Sequence, residues 1–223
     1  MDILKDRLYI LPPDSLERRS AQTVLYFILR TLTQLAAPFM SFTAEEIWQN
    51  FNFKEKSVFL SSLNATGKID KKLEEKWGKI LGLREAVQKA LEGARQKGII
   101  GSSLEAEVIL YAKDSYLKSL RVSKEELATI FITSNVKIEG FSNTIQEIQE
   151  VIEGVHPVRD KTENFRDDVS MNIGTVSNGA RIEIKKAEGE KCARCWKWSK
   201  EVDKVKEFPK LCPRCAKILS DKN

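Results

Sequence analysis

Two Cys-x2-Cys pairs, Cys192/Cys195 and Cys212/Cys215, constrain this chain more than any other feature of its sequence. Sixteen residues separate the pairs, a spacing within the range of four-cysteine zinc sites. Each Cys-x2-Cys turn presents two thiolates to one ion. Two turns complete a tetrahedron at Zn–S distances of roughly 2.3 Å and leave no open position. The ion expected here is therefore structural and does not activate water. A segment this polar buries too little surface to fold alone, and zinc contributes roughly 10–16 kcal/mol to the folding of such modules. Disulfides are the competing use of four cysteines. No signal-peptide pattern marks the start MDILKDRLY, which disfavours them, and a redox motif accounts for only one of the two pairs. The expectation is one structural Zn²⁺ held by Cys192, Cys195, Cys212 and Cys215.

The same segment carries the chain's excess positive charge. The 223 residues include 37 Lys+Arg and 32 Asp+Glu, for a net +5. From Arg181 to Asn223 there are 13 basic and 7 acidic side chains, so this stretch holds +6 and the preceding 180 residues −1. Around the cysteines sit Arg194, Trp196, Lys197, Trp198, Lys200, Phe208, Lys210 and Arg214. Cations neutralise phosphates and flat rings stack on unpaired bases, a mixture suited to single-stranded or looped RNA. Candidate phosphate contacts are Lys185, Lys186, Lys191, Arg194 and Arg214. Arg18 and Arg19 are further candidates, equally well read as solvated or paired with acids. Trp196, beside a ligand, is expected to pack over the metal cluster. For Trp198, packing and base stacking are both open.

Elsewhere the sequence offers little chemistry. Its single histidine, His156, removes most histidine-based zinc, haem and triad chemistry. Asp167 and Asp168 read as a charged loop, and KGIIGSS (97–103) lacks the GxxxxGK[ST] pattern of a phosphate loop. No residue is assigned a catalytic role. No apolar run approaches the roughly 18–20 residues that span a bilayer, so no membrane association is expected.

Hydrophobic spacing divides the chain. Asp14 or Ser15 caps a helix whose residues Ala21, Val24, Leu25, Ile28, Leu29, Leu32, Leu35 and Ala36 share one face, with Pro38 ending it. Thr43 and Glu46 suggest a capping box for a second helix through Trp48. A third helix is expected over 70–97, with Leu73, Trp77, Ile80, Leu81, Val87, Leu91 and Ala94 on one side. Long amphipathic helices with short connections predict a bundle. Ser103–Tyr111 alternates as a strand. A helix near 115–120, another capped by Ser123 and Glu126, a strand within 129–138 and a helix over 144–154 follow. Arg181–Lys185 reads as a last strand. The fold class expected is mainly α with a smaller α+β part. Its divisions are a helical bundle (1–98), a small α/β unit (99–156), a linker or loop (157–180) and a zinc module (181–223).

Several strings resemble a known family. KDRLYI (5–10), ERRSAQTVLY (17–26), APFMSFTAEEIW (37–48), KGIIGSSLEAEV (97–108), AEGEKCARCW (187–196) and LCPRC (211–215) occur in order. Together they resemble the C-terminal part of bacterial-type isoleucyl-tRNA synthetases, over roughly 1–140 and 180–216. The first four are shared in character with valyl and leucyl relatives, whereas the cysteine segment favours the isoleucyl group. The resemblance implies an anticodon-binding helical domain, incomplete at its start, and a zinc finger. It implies docking on the anticodon stem-loop of tRNA(Ile), in the cytoplasm. ATP-dependent attachment of isoleucine would belong to a catalytic domain elsewhere, in cis or as a separate chain, since HIGH-like and KMSKS-like signatures and an editing domain are missing here. Two other readings stand beside it: a DNA-binding zinc finger of glycosylase type, and a zinc-stapled protein-interaction module. The glycosylase family begins Pro-Glu after Met removal, and this chain begins Met1-Asp2-Ile3.

Overall fold

A computed structural model of the chain describes residues 2–51, 53–63, 69–112, 120, 122–140, 175–177 and 180–221. The helices expected over 115–120 (Leu120 apart) and 144–154, His156, Asp167 and Asp168, and most of the expected linker lie outside these residues. No described helix is long and apolar enough to cross a membrane.

Packing separates two units, one over Ile3–Asp70 and one over Lys71–Ser220. In the first, helix α1 (Leu16–Ala36) begins at Ser15, whose side chain accepts from the Arg18 amide as an N-cap should. Helix α2 (Ser41–Asn50) has no side-chain cap. Here the structure departs from the expected Thr43–Glu46 box, and the reason is local. The turn after α1 runs directly on, with the Met40 amide bonded to Ala36 O and Ser41 Oγ donating to Ala37 O. The helix therefore starts before Thr43, which sits inside it. Trp48 is the centre of this unit. It is buried with Ala37, Ala44 and Val58 against Phe53, and its indole N–H donates to Glu55 O at 2.8 Å.

The face expected to be buried along α1 is only partly so. Ala21 is buried, whereas Val24, Ile28, Leu32 and Leu35 are each about half exposed or more. Among the described residues of this unit, α2, the short helix Asp6–Ile10 and the turn Val58–Leu60 pack against α1, and they leave much of its 21-residue apolar stripe uncovered.

The second unit is a helix-backed mixed sheet. Helix α3 (Lys71–Gln96) buries Ile80, Leu83, Val87, Leu91 and Ala94 but exposes Leu73 and Leu81 in its early turns. It ends in a Schellman turn at Gly98, φ +73°, where the Ile99 amide reaches Ala94 O. Strand β1 (Ala106–Ala112) follows a short 3-10 turn at Ser103–Glu105, so the strand starts three residues later than alternation suggests. Helix α4 (Lys124–Phe131) carries the full Ser123–Glu126 capping box. It continues through 129–131, so the strand expected within 129–138 starts only at Asn135 and runs to Gly140 as β2. Strands β3 (Thr175–Ser177) and β4 (Ala180–Lys186) complete the order β2-β1-β4-β3. The β1–β2 pair is parallel with α4 between them, and β4 pairs antiparallel with β1 along its whole length.

This packing cuts across the sequence-based divisions. Helix α3 (within 1–98) packs against β4, which straddles the expected boundary at 180/181, and β3 lies inside the expected linker. The cause is the apolar ladder of Val108 and Leu110 against Ile184 and Ile182, whose burial requires a covering helix. Beyond β4, the chain forms a hairpin of β5 (Glu190–Lys191) and β6 (Trp198–Ser199), then helix α5 (Pro213–Ser220).

Candidate metal centre and nucleic-acid interface

The four cysteines converge. Their sulfurs all lie within 4.8 Å of one another, and Cys195 Sγ is 3.8 Å from Cys212 Sγ. A tetrahedron with Zn–S bonds of roughly 2.3 Å has edges of about 3.8 Å, so the arrangement fits one zinc ion. Local hydrogen bonds shape both turns. The Cys192 amide donates to Lys197 O at 2.9 Å and the Trp196 amide to Cys192 O at 2.9 Å, closing the first knuckle. In the second, Cys212 precedes Pro213, the first residue of α5, where a missing N–H costs nothing. The two knuckles are joined by the Ala193 amide donating to Lys210 O and the Cys212 amide donating to Cys192 Sγ at 3.3 Å.

The electrostatics call for a cation. Hydrogen bonds from the Cys195 and Cys215 side chains pull the Cys212 thiol down to about 3. Contact with Cys195 and Cys212, together with burial, pushes Cys215 up. Thiols this close share protons instead of ionising together, and a divalent ion takes the place of those protons. Cys192 and Cys215 are fully buried, whereas Cys195 and Cys212 are half-buried.

Gly189 makes the hairpin possible. Its φ is +94°, and a Cβ there would lie 2.2 Å from the Ser199 carbonyl carbon and 2.3 Å from the Lys200 nitrogen. No side chain fits that approach. Sequence reading passed over this residue, although a glycine directly ahead of a short strand is a usable signal.

The predicted contact residues fare differently. Lys186 places its ammonium 5.6 Å from the Trp198 ring centre, and Lys191 stands 5.1 Å from that of Trp196. Lys191 also faces Trp198 across the β5–β6 ladder. Both tryptophans of the hairpin thus carry a lysine, Lys191 from the hairpin itself and Lys186 from the end of β4. Lys185 instead pairs with buried Glu183 at 3.2 Å, and that carboxylate also accepts from Tyr111 Oη at 2.7 Å. Arg194 is half-buried, and Arg214 is exposed and shares a cleft with Trp198. On α1, the Arg18 guanidinium donates back to Leu11 O at 3.0 Å, a helix-anchoring contact, while Arg19 is exposed.

Trp196 corrects the expectation made for it. It is 58% exposed and does not pack over the cluster. Its φ of +64° is the reason: the left-handed residue that closes the first knuckle turns its side chain outward. Trp198 is half-buried.

Comparison with known proteins agrees with both modules. Residues 1–110 match the anticodon-binding domain of tRNA ligases, and residues 189–218 match the zinc finger found in FPG and IleRS. Over all of the chain, an isoleucine–tRNA ligase of Caldicellulosiruptor saccharolyticus is 39% identical and one of Natranaerobius thermophilus 36%. One from Staphylococcus epidermidis is 39% identical over 98% of it. The chain spans 21% to 22% of the length of these relatives. The chain is thus similar to part of the isoleucine–tRNA ligases, matching an anticodon-binding domain over residues 1–110 and a zinc finger over residues 189–218.

Proposed function

We propose that the chain is a tRNA-binding portion of an isoleucine–tRNA ligase, docking on the anticodon stem-loop of tRNA(Ile) in the cytoplasm. The observation that carries this reading is the hairpin beside the cysteine cluster, with Trp196 exposed and Lys191 and Lys186 on its rings. Zinc supplies rigidity there and no reaction step. Phosphate contacts from the lysines orient the RNA, and stacking on an exposed ring engages unpaired bases of a loop. Four thiolates and one Zn²⁺ together carry a charge of −2, which lowers the local positive field. Ring and shape contacts therefore take a larger share of recognition. ATP binding and isoleucine transfer belong to other parts of the ligase, which this chain serves in cis or as a partner. The chain alone is expected to show no isoleucine-dependent pyrophosphate exchange.

The DNA reading draws on the same finger match, since the matched module occurs in FPG as well. The anticodon-binding match over residues 1–110 favours RNA. Salt-titrated binding tests the choice. The anticodon stem-loop of tRNA(Ile) should bind more tightly than duplex DNA of equal charge, with log affinity falling linearly in log salt. Equal affinity for both ligands refutes the proposal, and binding to neither favours a protein-interaction module.

A second measurement concerns the ring. Trp196→Ala should retain zinc and weaken stem-loop binding by about 1–3 kcal/mol, the usual loss per stacked base. Wild-type affinity in this variant would remove the exposed ring from the interface.

A further inference from the structure

The zinc module leaves the sheet by a single covalent path, from β4 through Ala187 and Glu188 to Gly189. The Ala187 amide fixes the start of that path by donating to Glu105 O at 2.6 Å. A second joint lies far away in sequence. The Trp198 amide, in β6, donates to Ser134 Oγ at 2.6 Å. The Ser134 hydroxyl in turn donates to Leu104 O, and its own amide donates to Ala106 O at 3.1 Å. A hydroxyl offers one donor and two acceptor positions, so one side chain serves both sides of the joint.

The surroundings hold Ser134 in place. It lies between α4 and β2, just after Ile132 in the left-handed conformation (φ 62°) and the fully buried Thr133. Beside it opens a cleft of about 590 Å³, bordered by Glu107, Asn135, Lys137, Trp198 and Lys200. Several of these polar groups satisfy one another. Asn135 Nδ2 donates to Glu107 Oε1 at 2.8 Å, Lys137 pairs with Glu107 at 2.8 Å, and Lys200 pairs with Glu188. Side chains paired in this way line a joint between two modules and leave little for a ligand to satisfy.

The joint leads directly to the proposed interface. Trp198, whose amide Ser134 holds, faces Lys191 in the hairpin, and Lys191 stands against Trp196. We propose that Ser134 is a positioning residue for RNA binding. Its hydroxyl ties β6 to the sheet and so sets the orientation of both lysine–tryptophan pairs. Without it, the finger keeps its metal but pivots on Ala187–Gly189, and binding must first order it. This inference rests on the tRNA-binding reading.

The test uses the full chain with Ser134→Ala, Ser134→Thr and Trp196→Ala. Zinc content, hydrogen exchange at the Trp198 amide and stem-loop affinity are measured on each. Ser134→Ala should retain one zinc, exchange the Trp198 amide at least about 3- to 10-fold faster and lose affinity by a similar factor, the scale of one hydrogen bond. Ser134→Thr, which keeps the hydroxyl, should restore both. In the Ser134→Ala background, Trp196→Ala should cost less than it does alone, because the two act together. Faster exchange with unchanged affinity overturns the positioning role. Should Ser134→Ala lose its metal, exchange in the unmodified chain decides: protection of the Trp198 amide equal to that of β4 supports the joint, and exchange at solvent-exposed rates overturns it. If Trp196→Ala alone leaves affinity intact, the tRNA reading fails while the exchange result still reports on the joint.

Discussion

Cys192→Ser should release the zinc ion and unfold the chain from about Glu188 through α5, while the sheet and the first unit stay folded. Cys192 is fully buried, and its sulfur both faces the other three and accepts from the Cys212 amide. Serine supplies a weaker, harder ligand at a site built for thiolates. The linked folding energy, roughly 10–16 kcal/mol for structural zinc, far exceeds what hairpin β5–β6 and the eight-residue helix α5 provide alone. Elemental analysis and near-ultraviolet circular dichroism of Trp196 and Trp198 are the readouts. Full zinc occupancy in the variant would refute the four-thiolate site. Retention of the β4 amide protection marks where unfolding stops, since Ala180–Lys186 is held by β1 and not by the metal.

Trp48→Ala should do the opposite, unfolding the first unit and sparing the zinc. Trp48 is 1% exposed, lies 4.2 Å from the Phe53 ring centre and donates its indole N–H to Glu55 O. Truncating a buried tryptophan costs about 3–5 kcal/mol through lost transfer energy and the cavity left behind. A unit of under 70 residues with so small a core has little more than that in total. Limited proteolysis should then cut ahead of α3 while zinc content stays at one ion per chain. Unchanged protease resistance would show that the first unit draws its stability from elsewhere.

How much of this was legible in the sequence varies with the range of the interactions. The metal centre was fully legible, because ligand spacing and thiolate chemistry are local. So were the Ser123–Glu126 box and the α3 boundaries, which depend on caps and on a 3.6-residue period. The Thr43 box misled because it is a sequence pattern without knowledge of the preceding turn, which had already started α2. The divisions at 98 and 181 follow composition, whereas the sheet joins β1 to a strand some 70 residues later. No local signal announces such a pairing. Trp196 was misread for a similar reason: burial beside a ligand is a sensible default, and only the left-handed backbone reverses it. Ser134 carries no sequence signal at all.

The strand order has a consequence for the timing of folding. Val108–Leu110 is fully or nearly fully buried, yet its antiparallel partner β4 does not begin until Ala180, about 40 residues after β2 ends at Gly140. During synthesis at about 5–20 residues per second, β1 therefore waits for seconds with one apolar edge unpaired. Such an edge is a template for pairing with another chain. The vulnerable species for this protein is a nascent chain that ends between β2 and β4, and a chaperone that covers β1 during that interval should raise its yield.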